Sequence, residues 1–195
     1  MQFLFAPVWG RLSDRYGRRP ILLVGLLGST LAYGAFGLIT QLGNRGQILG
    51  LSPFYWLVIS RIAAGIAGAT IPTAQAYIAD TTTQAGRGRG MALIGMAFGA
   101  GFTFGPLLGS LFATGTEGDQ LPPSPAPGYL AAVLSGLAFL AALGMLPETR
   151  RESNGAGRHR EFFSVTTLVE ALRRPYVGWV LAAIFLTTFA FAQFE

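Results

Sequence analysis

The residues that could do chemistry in this chain are few, and they sit in telling places. Asp14 lies in the run Gly10-Arg11-Leu-Ser-Asp14-Arg15-Tyr-Gly17-Arg18-Arg19-Pro20, among four arginines. Arg61 falls inside a long apolar run, and Asp80 closes that run. Such residues pair charges and handle protons; nothing around them makes or breaks bonds. The chain has no Cys, which excludes a disulfide scaffold, a thiolate metal site and a Cys nucleophile. Its one His, His159, stands in a polar stretch over 153–160 without other ligands near it in sequence, so no metal is expected there. The acids are scattered, and an enzyme site would need His, Asp or Glu clustered near one face. Neither catalytic residues nor cofactors are expected, and the chain is not read as an enzyme. Gly86-x-Gly88-x-Gly90 and Gly99-x-Gly101 are not dinucleotide loops, because no strand precedes them. Glu195 lies in an apolar stretch and is assigned no role.

Each feature has a plain physical reading. In the Asp14 loop, Gly10 allows helices to approach, Gly17 takes a backbone conformation other residues avoid, and Pro20 suits the first turn of a helix. The loop itself is a basic turn with one ion pair. Arg61, Gly65, Gly68, Pro72 and Gln75 fall on one helical stripe of about 80°. That face suits close packing or the lining of a wet cavity. Arg61 either snorkels outward or is an intramembrane charge facing the protein interior. Asp80 sits at a helix C-terminus, where a carboxylate is unfavourable unless it meets a cation or solvent. Gly101, Gly105 and Gly109 repeat every fourth residue as a flat ridge for helix contact. Pro106 withholds a hydrogen bond from Phe102 and should loosen the helix there.

The elements that carry these residues are apolar and long. Of the 195 residues, 51% are hydrophobic and 12% charged, with mean hydropathy +0.48. A soluble domain carries about a quarter charged residues. Near-charge-free runs recur at 20–40, 54–79, 91–115, 128–146 and 176–194. The first of these, as a helix, spans about 31 Å, against roughly 30 Å of bilayer hydrocarbon. These are membrane helices, and the fold class is an all-α membrane protein.

All 14 basic residues are arginine, and they alternate between connections. Segments 11–19, 80–90 and 147–175 hold Arg-rich clusters. Segment 41–53 has only Arg45, and segment 116–127 has Glu117 and Asp119 with no base. The positive-inside rule places 11–19, 80–90 and 147–175 in the cytoplasm. The sequence pI of about 10.2 is therefore topological and not a nucleic-acid stripe. Residues 1–9 are apolar but too short to cross, and a basic cluster follows them, unlike a signal peptide. They read as the inner end of a helix, and the chain as a fragment of a longer polytopic protein. Past residue 160, Val165, Leu168, Val169 and Leu172 recur at amphipathic-helix spacing suited to the inner membrane surface.

The motifs resemble, in combination, those of the major facilitator superfamily. Gly10-x-Leu-x-Asp14-Arg15-x-Gly17-Arg18-Arg19 is similar to its signature loop between helices 2 and 3. Arg61-x-x-x-Gly65-x-x-Gly68-Ala69 resembles its fourth-helix motif, associated with proton coupling. Gly101-x-x-x-Gly105-Pro106-x-x-Gly109 resembles the fifth-helix motif of its antiporters, with Ser110 where a second Gly is usual. Leu146-Pro147-Glu148-Thr149-Arg150 is similar to its exit from helix 6. Together with Ala76-Tyr77-Ile78-Ala79-Asp80, these features are most similar to the tetracycline-efflux-like drug:proton antiporters.

The resemblance implies a twelve-helix carrier, of which this chain covers the end of helix 2 to helix 7. Residues 1–146 would be the N-terminal half without helix 1 and most of helix 2, 147–175 the central cytoplasmic loop, and 176–195 the start of helix 7. It implies a cytoplasmic latch of Gly10, Asp14, Arg15, Gly17, Arg18 and Asp80, with proton coupling at Arg61. Gly65, Gly68, Gly101, Gly105, Pro106 and Gly109 would serve helix contact and hinge. Thr73 and Gln75 are cavity candidates by helix face. The implied activity is efflux of amphipathic small molecules by a monomeric carrier of the bacterial inner membrane, using a proton gradient and no cofactor. A symporter for a sugar or other metabolite, or a transport-inactive sensor or scaffold, would share the fold.

Overall fold

A computed structural model of the chain describes residues 2–43, 46–112, 124–148 and 175–192. Arg45, Glu117, Asp119, Thr149, Arg150, His159, the amphipathic segment at 165–172 and Glu195 lie outside the described residues. Those described form seven helices: α1 (Gln2–Tyr16), α2 (Arg18–Gly43), α3 (Pro53–Ala67), α4 (Ile71–Thr81), α5 (Arg87–Phe112), α6 (Ala126–Met145) and α7 (Pro175–Ala192). The chain divides into two compact units, 1–151 and 152–195. The second contributes α7, an 18-residue apolar helix.

Four stretches are long and apolar enough to cross a membrane: Arg18–Gly43, Pro53–Thr81, Arg87–Phe112 and Ala126–Met145. Their surfaces are oily. Leu31, Phe54, Leu111 and Leu137 are exposed, whereas the buried positions are mostly small, among them Ala32, Ala64, Ala67, Ala69 and Ala142. This inversion of a soluble protein suits helices whose outer surface meets lipid and whose contacts rely on close backbone approach.

Within the first unit α2 is the central post, packed most extensively against α6 and α3. Glycines make both contacts possible. A Cβ on Gly128 would lie 2.9 Å from the Cα of Gly37, and one on Gly37 would lie 2.9 Å from the Tyr129 ring. On the other side, a Cβ on Gly25 would run into Thr70 and sit 2.9 Å from the Ala67 carbonyl oxygen. Hydrogen bonds fasten the α2–α6 seam: Tyr129 donates its hydroxyl to Gln41 (2.7 Å), and Ser135 donates to the Leu26 carbonyl (3.2 Å).

The apolar run expected as one helix over 54–79 is two. It breaks at Gly68–Thr70, between α3 and α4. Pro72 has no N–H to offer the Gly68 carbonyl, and Gly68 turns its own N–H to Ala64 (2.8 Å). The stripe drawn through Arg61, Gly65, Gly68, Pro72 and Gln75 is therefore interrupted: two members lie on α3, one in the turn and two on α4. By contrast, α5 runs through Pro106 without ending there.

Candidate functional site

The end of the bundle where α1 passes into α2 brings polar side chains of α1, α2 and α4 together. α1 stops at Tyr16 because Gly17 adopts φ +103° and returns its N–H to the Ser13 carbonyl at 3.1 Å, a left-handed cap. The turn places Arg18 and Arg19 in the first turn of α2, where the helix dipole disfavours cations. Asp80, in the last turn of α4, is misplaced in the opposite sense. The two unfavourable placements cancel by meeting: Arg18 Nε donates to Asp80 Oδ2 at 3.2 Å. Arg18 Nη1 also pairs with Asp14 Oδ1 at 2.5 Å and donates to Ser13 Oγ at 2.6 Å. Ser13, fully buried, in turn donates its hydroxyl hydrogen bond to the Gly10 carbonyl at 2.6 Å. One guanidinium thus joins α1, α2 and α4.

This cluster is anchored without being sealed. The Arg18 side chain is 19% exposed, Asp80 33% and Asp14 64%. Ion pairs this wet contribute about 0–1 kcal/mol each, so they form a fastening that breaks at little cost. That is the property a reversible closure needs.

A second set of contacts ties in the exit from α6. Arg19 Nη2 donates to the Leu143 carbonyl at 2.8 Å, supplying a cation to a helix C-terminus. Tyr77 donates its hydroxyl to the Pro147 carbonyl at 3.1 Å. The Glu148 carboxylate lies directly over Gly17, where any Cβ would meet its Oε1 at 2.7 Å. Arg87 caps the end of α4 by donating to the Ala79 carbonyl at 3.1 Å.

Arg61 lies on α3, about 12 Å along the helix from Pro53. Its guanidinium stands 3.7 Å from the centroid of the Phe36 ring and 5.8 Å from that of Tyr33, both on α2. It also lines a groove of about 740 Å³ with Gln2, Phe54, Leu57, Val58, Ile62 and Gly65. Arg61 is exposed, and its guanidinium rests on aromatic faces of α2.

Of the six residues expected at the latch, Asp14, Arg18 and Asp80 converge, and Gly17 shapes the turn. Arg15 points elsewhere, over the Tyr16 ring at 5.6 Å, and a Cβ on Gly10 would meet nothing within 4 Å. Gly101, Gly105 and Gly109 likewise have open space around them among the described residues. Their ridge meets no close neighbour among the described residues, so the expected helix contact is not made by those residues. Thr73 is fully enclosed, with a hydroxyl that finds no partner among the described residues, whereas Gln75 on the same helix is exposed. Of the two cavity candidates, only Gln75 reaches open space. Arg19, Tyr77 and Glu148 stand in motifs quoted from the sequence but were given no role there, and Ser13 was given none either. Arg19 carried a signal as a cation at a helix start, but its partner, the Leu143 carbonyl, is a backbone atom 124 positions away. Among the described residues no group of His, Cys, Asp or Glu could hold a metal ion.

Comparison with known proteins agrees with this architecture. The family model described as Major Facilitator Superfamily matches residues 1–195. The class G tetracycline resistance protein of Vibrio anguillarum is 36% identical over 189 residues, covering 95% of this chain and 42% of that protein. The class E tetracycline resistance protein of Escherichia coli is 41% identical over 150 residues, covering 76% of this chain and 32% of its own length. A solved structure, the human organic anion transporter MFSD10 (TETRAN), superposes with a TM-score of 0.61 at 30% identity, covering 77% of this chain and 30% of that one. The chain belongs to the major facilitator superfamily, a family of membrane transporters. It is an integral, multi-pass membrane protein. It spans about two fifths of the length of the class G relative.

Proposed function

We propose that this chain is the N-terminal part of a proton-coupled efflux carrier for amphipathic small molecules, working by alternating access. In this reading two halves rock about a central cavity, and the cytoplasmic side closes when the inner cluster forms. Arg18 is the keystone of that closure, with Asp14 and Asp80 as its counter-charges. Gly17 gives the turn its shape. Arg61, a cation within a membrane-spanning segment, tunes a proton site so that inward proton flow drives outward release of cargo. Gln75 contributes to the cavity wall. Gly65, Gly68, Gly101, Gly105, Gly109 and Pro106 supply the flexible and close-packing surfaces that rocking requires. The complete carrier acts as a monomer in the lipid bilayer.

The observation that carries the reading is the three-helix junction at Arg18, made of pairs strong enough to orient and wet enough to part. The relatives named as tetracycline resistance proteins support export of a drug and make tetracycline the first cargo to try. The test is accumulation of tetracycline in everted membrane vesicles containing the full-length carrier, with an imposed proton gradient. Accumulation that collapses when a protonophore is added is expected. Accumulation indifferent to the gradient, or a gradient that drives cargo out of everted vesicles, overturns the reading.

A further inference from the structure

Pro147, at the exit from α6, leaves two backbone acceptors to be answered from outside that helix. It has no N–H, so the Leu143 carbonyl, four residues earlier, lacks its helical donor. Its own carbonyl lies past the last turn of α6, beyond the reach of helical hydrogen bonding. A different helix answers each one. Arg19 of α2 donates to the Leu143 carbonyl at 2.8 Å, and Tyr77 of α4 donates to the Pro147 carbonyl at 3.1 Å.

With the ion pair at Arg18, these bonds close a circuit through three helix ends. It crosses from Arg18 to Asp80 at 3.2 Å and runs back about one turn of α4 to Tyr77. From there it crosses to Pro147, runs back about one turn of α6 to Leu143, and returns to α2 at Arg19. α2 packs on both α4 and α6, but those two helices do not pack on each other. The side of the circuit between them is therefore spanned by a long side chain and not by a packed seam.

The sides of the circuit differ in kind. Arg18 and Asp80 form a wet ion pair, screened by solvent and salt. Tyr77 is half-buried, and its bond joins two neutral groups that salt does not screen. When Arg18 lets go of Asp80, Tyr77 still holds α4 to the exit of α6, and Arg19 still holds that exit to α2. Asp80 is one turn from Tyr77, so it stays near the guanidinium it has left.

We propose that Tyr77 is a positioning residue of the inner closure: its hydroxyl, held on the Pro147 carbonyl, keeps Asp80 placed for recapture by Arg18. This rests on the alternating-access reading and adds to it a residue that sets the rate of closing and not the affinity for cargo.

Tyr77→Phe removes the hydroxyl and keeps the ring. In the full-length carrier at equal protein level, its maximal rate of proton-driven tetracycline transport should fall about fivefold, the loss of one neutral hydrogen bond. Its KM should stay within about twofold of the parent's. Tyr129→Phe is the control, because it removes a hydroxyl bond to Gln41 between α6 and α2 at the opposite end of the bundle. That variant should keep its maximal rate within about twofold. Hydrogen–deuterium exchange over 77–82 should quicken at least about threefold in Tyr77→Phe and stay unchanged in Tyr129→Phe. Should Tyr77→Phe fail to fold, Pro147→Ala returns a helical N–H to Leu143 and should show the same loss of rate at unchanged KM. A parental rate in the variant that folds, equal losses in the two tyrosine variants, or a loss confined to KM overturns the proposal. The efflux reading falls separately, if the gradient drives tetracycline the other way or not at all. A rate loss in the reversed direction still supports Tyr77; where no cargo moves, unchanged exchange over 77–82 overturns its role and quickened exchange supports it.

Discussion

Trp9 donates its indole N–H to the carbonyl of Ile66 at 2.7 Å, at the point where α3 gives way to α4. Breaking a membrane helix exposes backbone groups that hydrocarbon does not satisfy, so such breaks persist only where protein or water answers them. Ile66 is two residues before Gly68, and its oxygen also accepts a 3.3 Å bond from the Ala69 N–H. α1 thus holds the break from one side, while Gly25 of α2 backs it from the other. The break lies between Arg61 and Asp80, that is, between the proposed proton site and the proposed inner closure.

Replacing Trp9 tests this support. Trp9→Phe removes the N–H but keeps most of the bulk, and should cost about 1 kcal/mol. Trp9→Ala also opens a cavity and should cost on the order of 3 kcal/mol or more. Thermal unfolding of the full-length carrier in one detergent reads both. Equal midpoints for parent and Trp9→Phe would show that the bond contributes nothing to stability.

Gly17 and Gly10 should respond differently to the same change. Gly17→Ala places a Cβ at positive φ and within 2.7 Å of the Glu148 carboxylate. It should lose about 1–2 kcal/mol through strain alone, with further loss if Glu148 is displaced. Gly10→Ala meets nothing within 4 Å and should be neutral or slightly stabilising, because alanine favours the helix. Unfolding midpoints in the same order for both variants would contradict the assignment of Gly17 as the turn-shaping residue.

Because the chain has no Cys, sidedness is open to direct labelling. Gln47 lies in the connection between α2 and α3, and Gln84 in that between α4 and α5; both are exposed. A single Cys at 84 should react with a membrane-impermeant thiol reagent only from the cytoplasmic side, and one at 47 only from the opposite side. Labelling of both from one side would undo the assignment of alternate connections to opposite compartments.

What the sequence made legible, and what it did not, follows from the range of the forces. Charge-free runs and alternating arginines reflect the bilayer, which acts on every residue alike, so the fold class and four of the five expected spans were plain. The Asp14–Arg18–Asp80 convergence was half visible: helix-end electrostatics demanded a cation for Asp80, yet only the left-handed turn at Gly17 selects Arg18 over Arg15. Gly68 and Pro72 hinted at a kink, but a three-residue break needs partners such as Trp9 that lie far off in sequence. The same holds for close contacts. Among 27 glycines, nothing local distinguishes Gly37 and Gly128, which touch, from Gly101 and Gly105, which face open space among the described residues.

The most direct test of the account is a double-mutant cycle on the inner cluster, read as proton-driven transport in proteoliposomes at equal protein level. Asp14→Asn and Asp80→Asn should each leave folding intact, as both acids are substantially solvated, and Asp14→Asn alone should nearly abolish transport. Since both acids act through Arg18, the double variant should be little worse than the poorer single one. Undiminished transport in Asp14→Asn would contradict the account. So would strictly additive losses, which would mean that the two carboxylates do not share one guanidinium.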